Sequence, residues 1–329
     1  MSITIVIPTY NRADLLKRAL GSIARQEQKP DQVVISDNAS VDHTESVIKE
    51  FVKSGIDVRY HRHDTNIGML KNWQHGISLV NTDYFMVLAD DDYLLSNCIR
   101  EGMQAFHGNP RLGMWCGVTV CVDHDLKPIS IAPSNLKAIG KLTDFDLLTH
   151  MLQHPASTGS IFSKKIFDRV GGFRIESEYL ADLSMMLRIA AVSEVAIMKE
   201  PVAIYSASAT YMKGHLFNTW YPGCLDVFGQ LQKLGVKDRL SYKKYMGRTF
   251  YVSIVQLTKH LCRNNGLLKS NMQIFAGLFK YLTPLSVLLA FVEGARLKLH
   301  GFQWKYNQSK FMDYCMVYGI DRKIKEANG

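Results

Sequence analysis

Four short apolar runs, Ile3–Ile7, Val33–Ile35, Val58–His61 and Tyr84–Leu88, are spaced along the N-terminal part of the chain with helical patterns between them. After the first run, Leu15, Leu16, Ala19, Leu20 and Ile23 recur at helical spacing, and helices are predicted over residues 44–54 and 69–80. Strands separated by helices cannot pair as hairpins. They predict an α/β fold with a mostly parallel, Rossmann-like sheet covered by helices on both faces. In such sheets ligands bind beyond the carboxyl ends of the strands. The polar residues that end these runs are therefore the ones that matter: Thr9 and Asn11, Asp37 and Asn38, and the triplet Asp90-Asp91-Asp92.

Further along, Met114–Val122 reads as a strand and 143–152 as a helix. Thr158-Gly159-Ser160 leads into Ile161-Phe162 and a helix near 164–170, which Gly171-Gly172 breaks before another helix over 180–192. Charge then divides the chain. Residues 1–212 hold 21 Lys/Arg against 24 Asp/Glu, whereas residues 213–329 hold 18 against 6. The expected organisation is a catalytic domain over 1–212 and a basic helical region over 213–329. Such a region suits an anionic partner surface.

Six cysteines occur without a CxxC pair, which points to a reducing cytoplasm rather than a disulfide framework. Met1–Pro8 has no basic segment ahead of its apolar run and reads as a buried strand, not a signal peptide. No apolar stretch is long enough to predict a membrane-spanning helix.

Three adjacent carboxylates repel one another, and burying them without a cation is costly. Directly after a buried strand, Asp90–Asp92 suit a hard cation shared with phosphate oxygens, Mg²⁺ or Mn²⁺. The bland alternative is a solvated turn capping the helix that starts near Ser96. Pro8-Thr9-Tyr10-Asn11-Arg12 and Ser36-Asp37-Asn38-Ala39-Ser40 offer an aromatic face and a carboxylate for a base. Each alone is an ordinary strand-to-helix turn. Asp182 opens a predicted helix, either as a cap or as a general base, with Arg188 on a later turn and Gly171-Gly172-Phe173 before it.

Taken together, these segments, with Asn66-Ile67-Gly68, Asn72, Asp83-Tyr84 and Thr158-Gly159-Ser160, resemble family 2 of the inverting glycosyltransferases in order and spacing over roughly residues 1–210. The resemblance implies the GT-A nucleotide-binding fold and transfer of a sugar from a nucleoside-diphosphate donor to a saccharide hydroxyl. It implies nucleoside contacts at Pro8, Tyr10 and Asp37, within a nucleotide-sugar set that also takes in Thr9, Asn11, Arg12 and Asn38. Asn66, Gly68 and Asn72 match a stretch beside the nucleotide. Asp90–Asp92 match the family's metal- and ribose-binding segment in either of two registers: read as DxD the ligands are Asp90 and Asp92, whereas by distance from Tyr84 the metal ligands are Asp91 and Asp92, with Asp90 and Asp91 toward the nucleotide sugar. Thr158 and Gly159 fall where the donor sugar and acceptor sit, and Asp182 matches the catalytic base.

Three departures stand out. Ala89 replaces the first acidic residue of the usual strand-end string, Ala181 replaces the Glu before the base, and Ser206-Ala207-Ser208 occupies a region that often carries a His, with His215 as a substitute. The form of Ser36–Ser40 resembles members that build surface polysaccharides such as O-antigen. The basic C-terminal third, with apolar residues Leu268, Met272, Phe275, Leu278, Phe279 and Leu282 at helical spacing, reads either as a subdomain packed on the core or as a helix in the headgroup layer of an anionic membrane. The latter suits a polyprenyl-diphosphate-linked acceptor at the inner face of the cytoplasmic membrane. A nucleic-acid module would leave the triplet and Asp182 unexplained. A nucleotidyltransferase would show a Gly-rich basic loop where Pro8–Arg12 stands. A non-catalytic scaffold is the remaining alternative.

Overall fold

The computed structural model describes residues 1–132, 138–141, 157–206, 311–328 and a few positions between 226 and 233. The predicted helix over 143–152, His215 and the helical pattern from Leu268 to Leu282 lie outside the described residues.

The chain begins as its periodicity predicts. Strand β1 (Ile3–Thr9), helix α1 (Ala13–Ala24), β2 (Gln32–Asp37), α2 (Thr44–Val52), β3 (Val58–Arg62), α3 (Met69–Ser78) and β4 (Tyr84–Val87) follow in order. Every residue of β1 is buried, as expected for a Val/Ile-rich strand covered on both faces. Helix α1 lays Leu16, Ala19, Leu20 and Ile23 against one face of the sheet. Each buried leucine or isoleucine among these contributes about 1.5–3 kcal/mol relative to exposure. Helix α3 covers the opposite face, closely enough that a Cβ on Gly76 would sit 2.8 Å from Val6 Cγ1. Any side chain there would lift α3 off the sheet.

Beyond β4 come β5 (Tyr93–Leu94), α4 (Cys98–Gly108), β6 (Leu112–Val122), β7 (Pro128–Ala132), β8 (Ala138–Gly140), β9 (Ser160–Ser163), α5 (Lys164–Arg169), a 3₁₀ turn (Ile175–Leu180), α6 (Ala181–Val192), β10 (Glu194–Ser206) and α7 (Ile320–Asn328). The described strands form one sheet in the order β3-β2-β1-β4-β9-β6-β10-β5, with β7 on β6 and β8 on β10. The β3-β2-β1-β4 half is parallel, as expected. The other half is mixed: β9 runs antiparallel between β4 and β6, while β6 and β10 are parallel to each other. The parallel pairing of the opening repeats thus becomes mixed after β4, within the mostly parallel sheet expected.

Helix α6 is buried along almost its whole length, and its apolar side chains form the centre of one core layer with Phe85, Phe162 and Phe173. Residues 311–328 fold back on the sheet. Tyr314, Cys315, Ile320 and Ile324 pack on Tyr93, Leu95, Val118, Val120 and Ile204, and the Tyr314 hydroxyl donates to the Lys199 carbonyl at 2.7 Å. Residues 311–328 thus pack on the core. No helix among the described residues is long and apolar enough to cross a membrane.

Candidate active site

Beyond the carboxyl ends of β1, β2 and β4 lies a cleft of about 730 Å³. Its floor is built by ties between strand-end loops. Asn11 adopts a left-handed φ of 52°, which turns its amide to accept the Val41 N–H at 2.8 Å while its own N–H donates to Ser40 Oγ at 2.9 Å. Asn tolerates this backbone region better than most residues. Asn38 reaches the next loop, donating to Asn66 Oδ1 at 2.9 Å and accepting the Ile67 N–H at 2.8 Å. Asn72, buried on α3, accepts from Ser36 Oγ at 2.8 Å and donates to the Ser36 carbonyl at 2.9 Å. Three asparagines thereby hold the β1, β2 and β3 loops in one arrangement.

The acidic triplet splits into three environments. Asp90 accepts from Thr9 Oγ1 at 2.8 Å and from Arg12 Nη1 at 3.0 Å. Burial raises its pKa, and the Arg12 charge opposes that rise. Asp91 shares the same Arg12 nitrogen at 3.1 Å and is the more open of the two, its side chain 23% exposed against 7% for Asp90. Asp92 is enclosed. One oxygen accepts from Thr158 Oγ1 at 2.6 Å and the other from the Ser206 N–H at 2.9 Å. Burial, reinforced by the neighbouring Asp91 charge, pushes the Asp92 carboxyl up to about 8. Of the two expected metal ligands, Asp91 therefore presents a carboxylate to the cleft, whereas Asp92 ties β4 to the ends of β9 and β10. A single open carboxylate fits a hard divalent cation that completes its shell with phosphate oxygens and water.

Asp182, which also lines the cleft, opens α6 and accepts the Leu183 N–H at 2.7 Å. Burial raises its pKa and this hydrogen bond opposes the rise. Arg188, on a later turn of the same helix, is buried and does not line the cleft. Its Nη1 donates to the Val170 carbonyl at 2.5 Å and its Nη2 to the Gly172 carbonyl at 2.6 Å. It thus fastens the turn in which Gly171 and Gly172 hold φ of 85° and 66°. The next residue, Phe173, stacks on Trp73 of α3 with ring centroids 6.0 Å apart, and Trp73 lines the cleft.

The cleft brings together Pro8, Thr9, Tyr10, Arg12, Asn38, Asn66, Asn72, Asp90, Asp91, Asp92, Thr158 and Asp182. Four expected site residues do not line it. Asn11 serves the loop tie described above. Asp37 is buried, accepting from Tyr60 Oη and the Ser40 N–H, each at 2.8 Å. Gly68 caps α3 with φ 88°. Gly159 lies behind the wall, where a Cβ would sit 3.0 Å from Ala203 Cβ. Conversely, Tyr205, Cys121 and Thr119 reach the cleft unannounced. Tyr205 stands among Asp91, Asp92 and Asp182, and burial followed by those charges pushes its hydroxyl up to about 12. Its place near the end of a core strand is the sequence signal for it.

Residues 4–171 match the Glycosyl transferase family 2 profile. The abequosyltransferase RfbV of Salmonella typhimurium is 36% identical over 102 residues, covering 30% of this chain and 31% of that protein. The O-antigen chain rhamnosyltransferase RfbN of the same organism is 25% identical over 219 residues, covering 64% of this chain and 68% of that protein. The match to RfbV thus spans about a third of that relative. Among solved structures, S. aureus TarS 1-349 in complex with UDP-GlcNAc superimposes with a TM-score of 0.60 at 14% identity, covering 76% of this chain and 72% of that one.

Proposed function

From its membership of glycosyl transferase family 2, with the GT-A fold, we propose that the chain transfers a sugar from a nucleoside-diphosphate donor to a saccharide hydroxyl with inversion. The observation that carries this reading is the single cleft that joins the Asp90–Asp91 edge, the asparagine-tied loops and Asp182. Tyr10, half exposed at the rim, offers a ring face to the base. Asn38, Asn66 and Asn72 offer amide edges beside it.

Asp91 is the carboxylate that would hold Mg²⁺ or Mn²⁺, which when bound supplies positive charge against the diphosphate leaving group. Asp90, neutralised by Arg12 and Thr9, faces the ribose side, and Asp92 supports both from beneath. Across the cleft Asp182 accepts the proton of the acceptor hydroxyl as its oxygen attacks the anomeric carbon. Burial raises the Asp182 pKa toward the range in which a carboxylate is an effective base. One in-line displacement breaks the sugar–phosphate bond and inverts the anomeric centre.

The acceptor on this reading is a growing surface polysaccharide such as O-antigen on a polyprenyl-diphosphate carrier, met at the cytoplasmic face of the membrane. The name of RfbN supports the polysaccharide class, and the excess of basic residues over 213–329 supports an anionic surface. The chain thus divides into a catalytic domain over 1–212 and a basic region over 213–329.

Asp182→Asn tests the assignment. It is expected to cut transfer by about 10²–10⁴-fold while nucleoside-diphosphate binding, measured calorimetrically, is unchanged. Near-wild-type transfer by the folded variant would remove Asp182 from the role.

A further inference from the structure

The transfer reading leaves one cluster unused. His61 on β3, His63 just after it and His75 on α3 have ring centroids 4.3–4.7 Å apart in every pairing. One ligand nitrogen from each lies within 4.8 Å of the others. The fold creates this convergence. His61 and His63 alternate along an edge strand and so share the face on which α3 packs, and His61 stands beside Ser36 in the parallel register.

Two hydrogen-bonding facts show that ring lone pairs are available. Ser36 Oγ donates its proton to Asn72 Oδ1, an amide whose orientation is set by its Nδ2 bond to the Ser36 carbonyl. At 3.1 Å from His75 Nδ1, the same hydroxyl can then only accept, so Nδ1 carries the hydrogen and Nε2 keeps its lone pair. This is the outer-shell arrangement that fixes the tautomer of metal-ligating histidines. His63 Nε2 is buried without a hydrogen-bond partner, an orphan that a metal ion would satisfy. Burial also lowers the pKa of both His63 and His75, which favours their neutral, ligating form.

We propose that His61, His63 and His75 form a three-imidazole site for a divalent transition metal of the Zn²⁺ class, separate from the strand-end carboxylates. Imidazole donors select such ions over Mg²⁺ or Ca²⁺. Zn–N distances of about 2.0–2.1 Å require the three rings to turn until their ligand nitrogens, now within 4.8 Å of one another, converge, and His61, on the exposed side, has room to turn. The ion would staple the edge strand β3 to α3. It would thereby brace Asn72, which touches both the cleft and the Ser36–His75 pair.

The full-length protein, stripped with chelator and held in excess Mg²⁺, is titrated with Zn²⁺ by calorimetry, and separately with Co²⁺ by visible absorption. One Zn²⁺ per chain is expected, with a rise in melting temperature and the strong visible bands of four-coordinate, nitrogen-ligated Co²⁺. His61→Ala, at an exposed position, is expected to weaken Zn²⁺ binding by about 100-fold and to abolish the rise. Ser36→Ala is expected to weaken it by about 10–100-fold through loss of the outer-shell bond. Zn²⁺ binding unaltered in His61→Ala would overturn the proposal. So would a weak, octahedral-type Co²⁺ spectrum in the wild-type protein, which needs no variant to fold.

Discussion

Arg188→Met isolates the role of a buried cation that never reaches the cleft. Arg188 is 2% exposed and fastens the carbonyls of Val170 and Gly172, with a third bond from Nε to the Ser184 carbonyl at 3.2 Å. Methionine keeps the apolar stem and the fit in the α6 core but removes every donor. The Ser184 carbonyl lies inside α6, where the helix supplies a backbone donor, so two turn carbonyls lose their partner. At about 1–3 kcal/mol for each unsatisfied group, the cost centres on about 4 kcal/mol. Against it stands the relief of desolvating the guanidinium, whose pKa burial lowers to about 10. A net loss of about 3 kcal/mol remains, consistent with the usual penalty for breaking a buried charged network. For a chain of this size it corresponds to a fall in melting temperature of roughly 4 °C. The loss should carry into function, because the fastened turn leads into Phe173 and the Trp73 wall while α6 carries Asp182. A displacement of that wall by about an ångström is expected to lower transfer by up to about 10²-fold. Urea unfolding and sugar transfer, both measured well below the transition, give the two numbers. Arg188→Lys restores charge without the fork and should recover only part of either. A methionine variant as stable and as active as wild type would refute the account of the turn.

Asp91→Asn is expected to abolish metal-dependent transfer by about 10²–10³-fold, whereas Asp92→Asn keeps its bond to the Ser206 N–H and retains most activity. The reverse ranking in a Mn²⁺-dependent transfer assay would make Asp92 the ligand. In the metal-free protein the Asp92 carboxyl sits at about 8 against about 3.9 unfolded. Between those values the folded chain holds a proton that the unfolded chain lacks, so this contribution to stability is full at acid pH and declines as pH rises through the window, by at most about 1.4 kcal/mol per unit. Asp92→Asn lacks that slope, and parallel pH profiles for the two proteins in urea unfolding with EDTA would sink the assignment. Gly102→Ala should destabilise by about 1–3 kcal/mol, since its Cβ would lie 2.4 Å from Ile161 Cδ1 and 2.9 Å from Trp115 Cε3. An unchanged denaturation midpoint would show that α4 can shift without cost.

The opening βα repeats were legible because local periodicity alone dictates them. Each strand is a short apolar run, each helix has one apolar face, and the polar ends of β1, β2 and β4 meet where such sheets bind ligands. The later half was less legible because its pairings are non-local. Nothing within Ser160–Ser163 announces that β9 inserts antiparallel between β4 and β6. Strand β10 is broken by register shifts around Pro201, which blurs its alternation. The same distinction runs through the site. Asp90, Asp91 and Asp182, which stand at element ends, line the cleft as their positions suggest. The diversion of Asp37 to Tyr60, the enclosure of Asp92 and the arrival of Tyr205 depend on neighbours far away in sequence.

The return of residues 311–328 to the sheet has a consequence for how the chain folds. Arg25, just after α1, donates to the Ala327 carbonyl, 302 residues further along the chain, so this contact forms only once both segments are in place. Until then the apolar face of Tyr93, Leu95, Val118, Val120 and Ile204 has no cover from this segment. Such late, long-range closure slows folding and leaves an aggregation-prone surface exposed in the interval. Residues 311–328 thus act as a cover over one face of the sheet, and their loss would leave that face formed but not sealed.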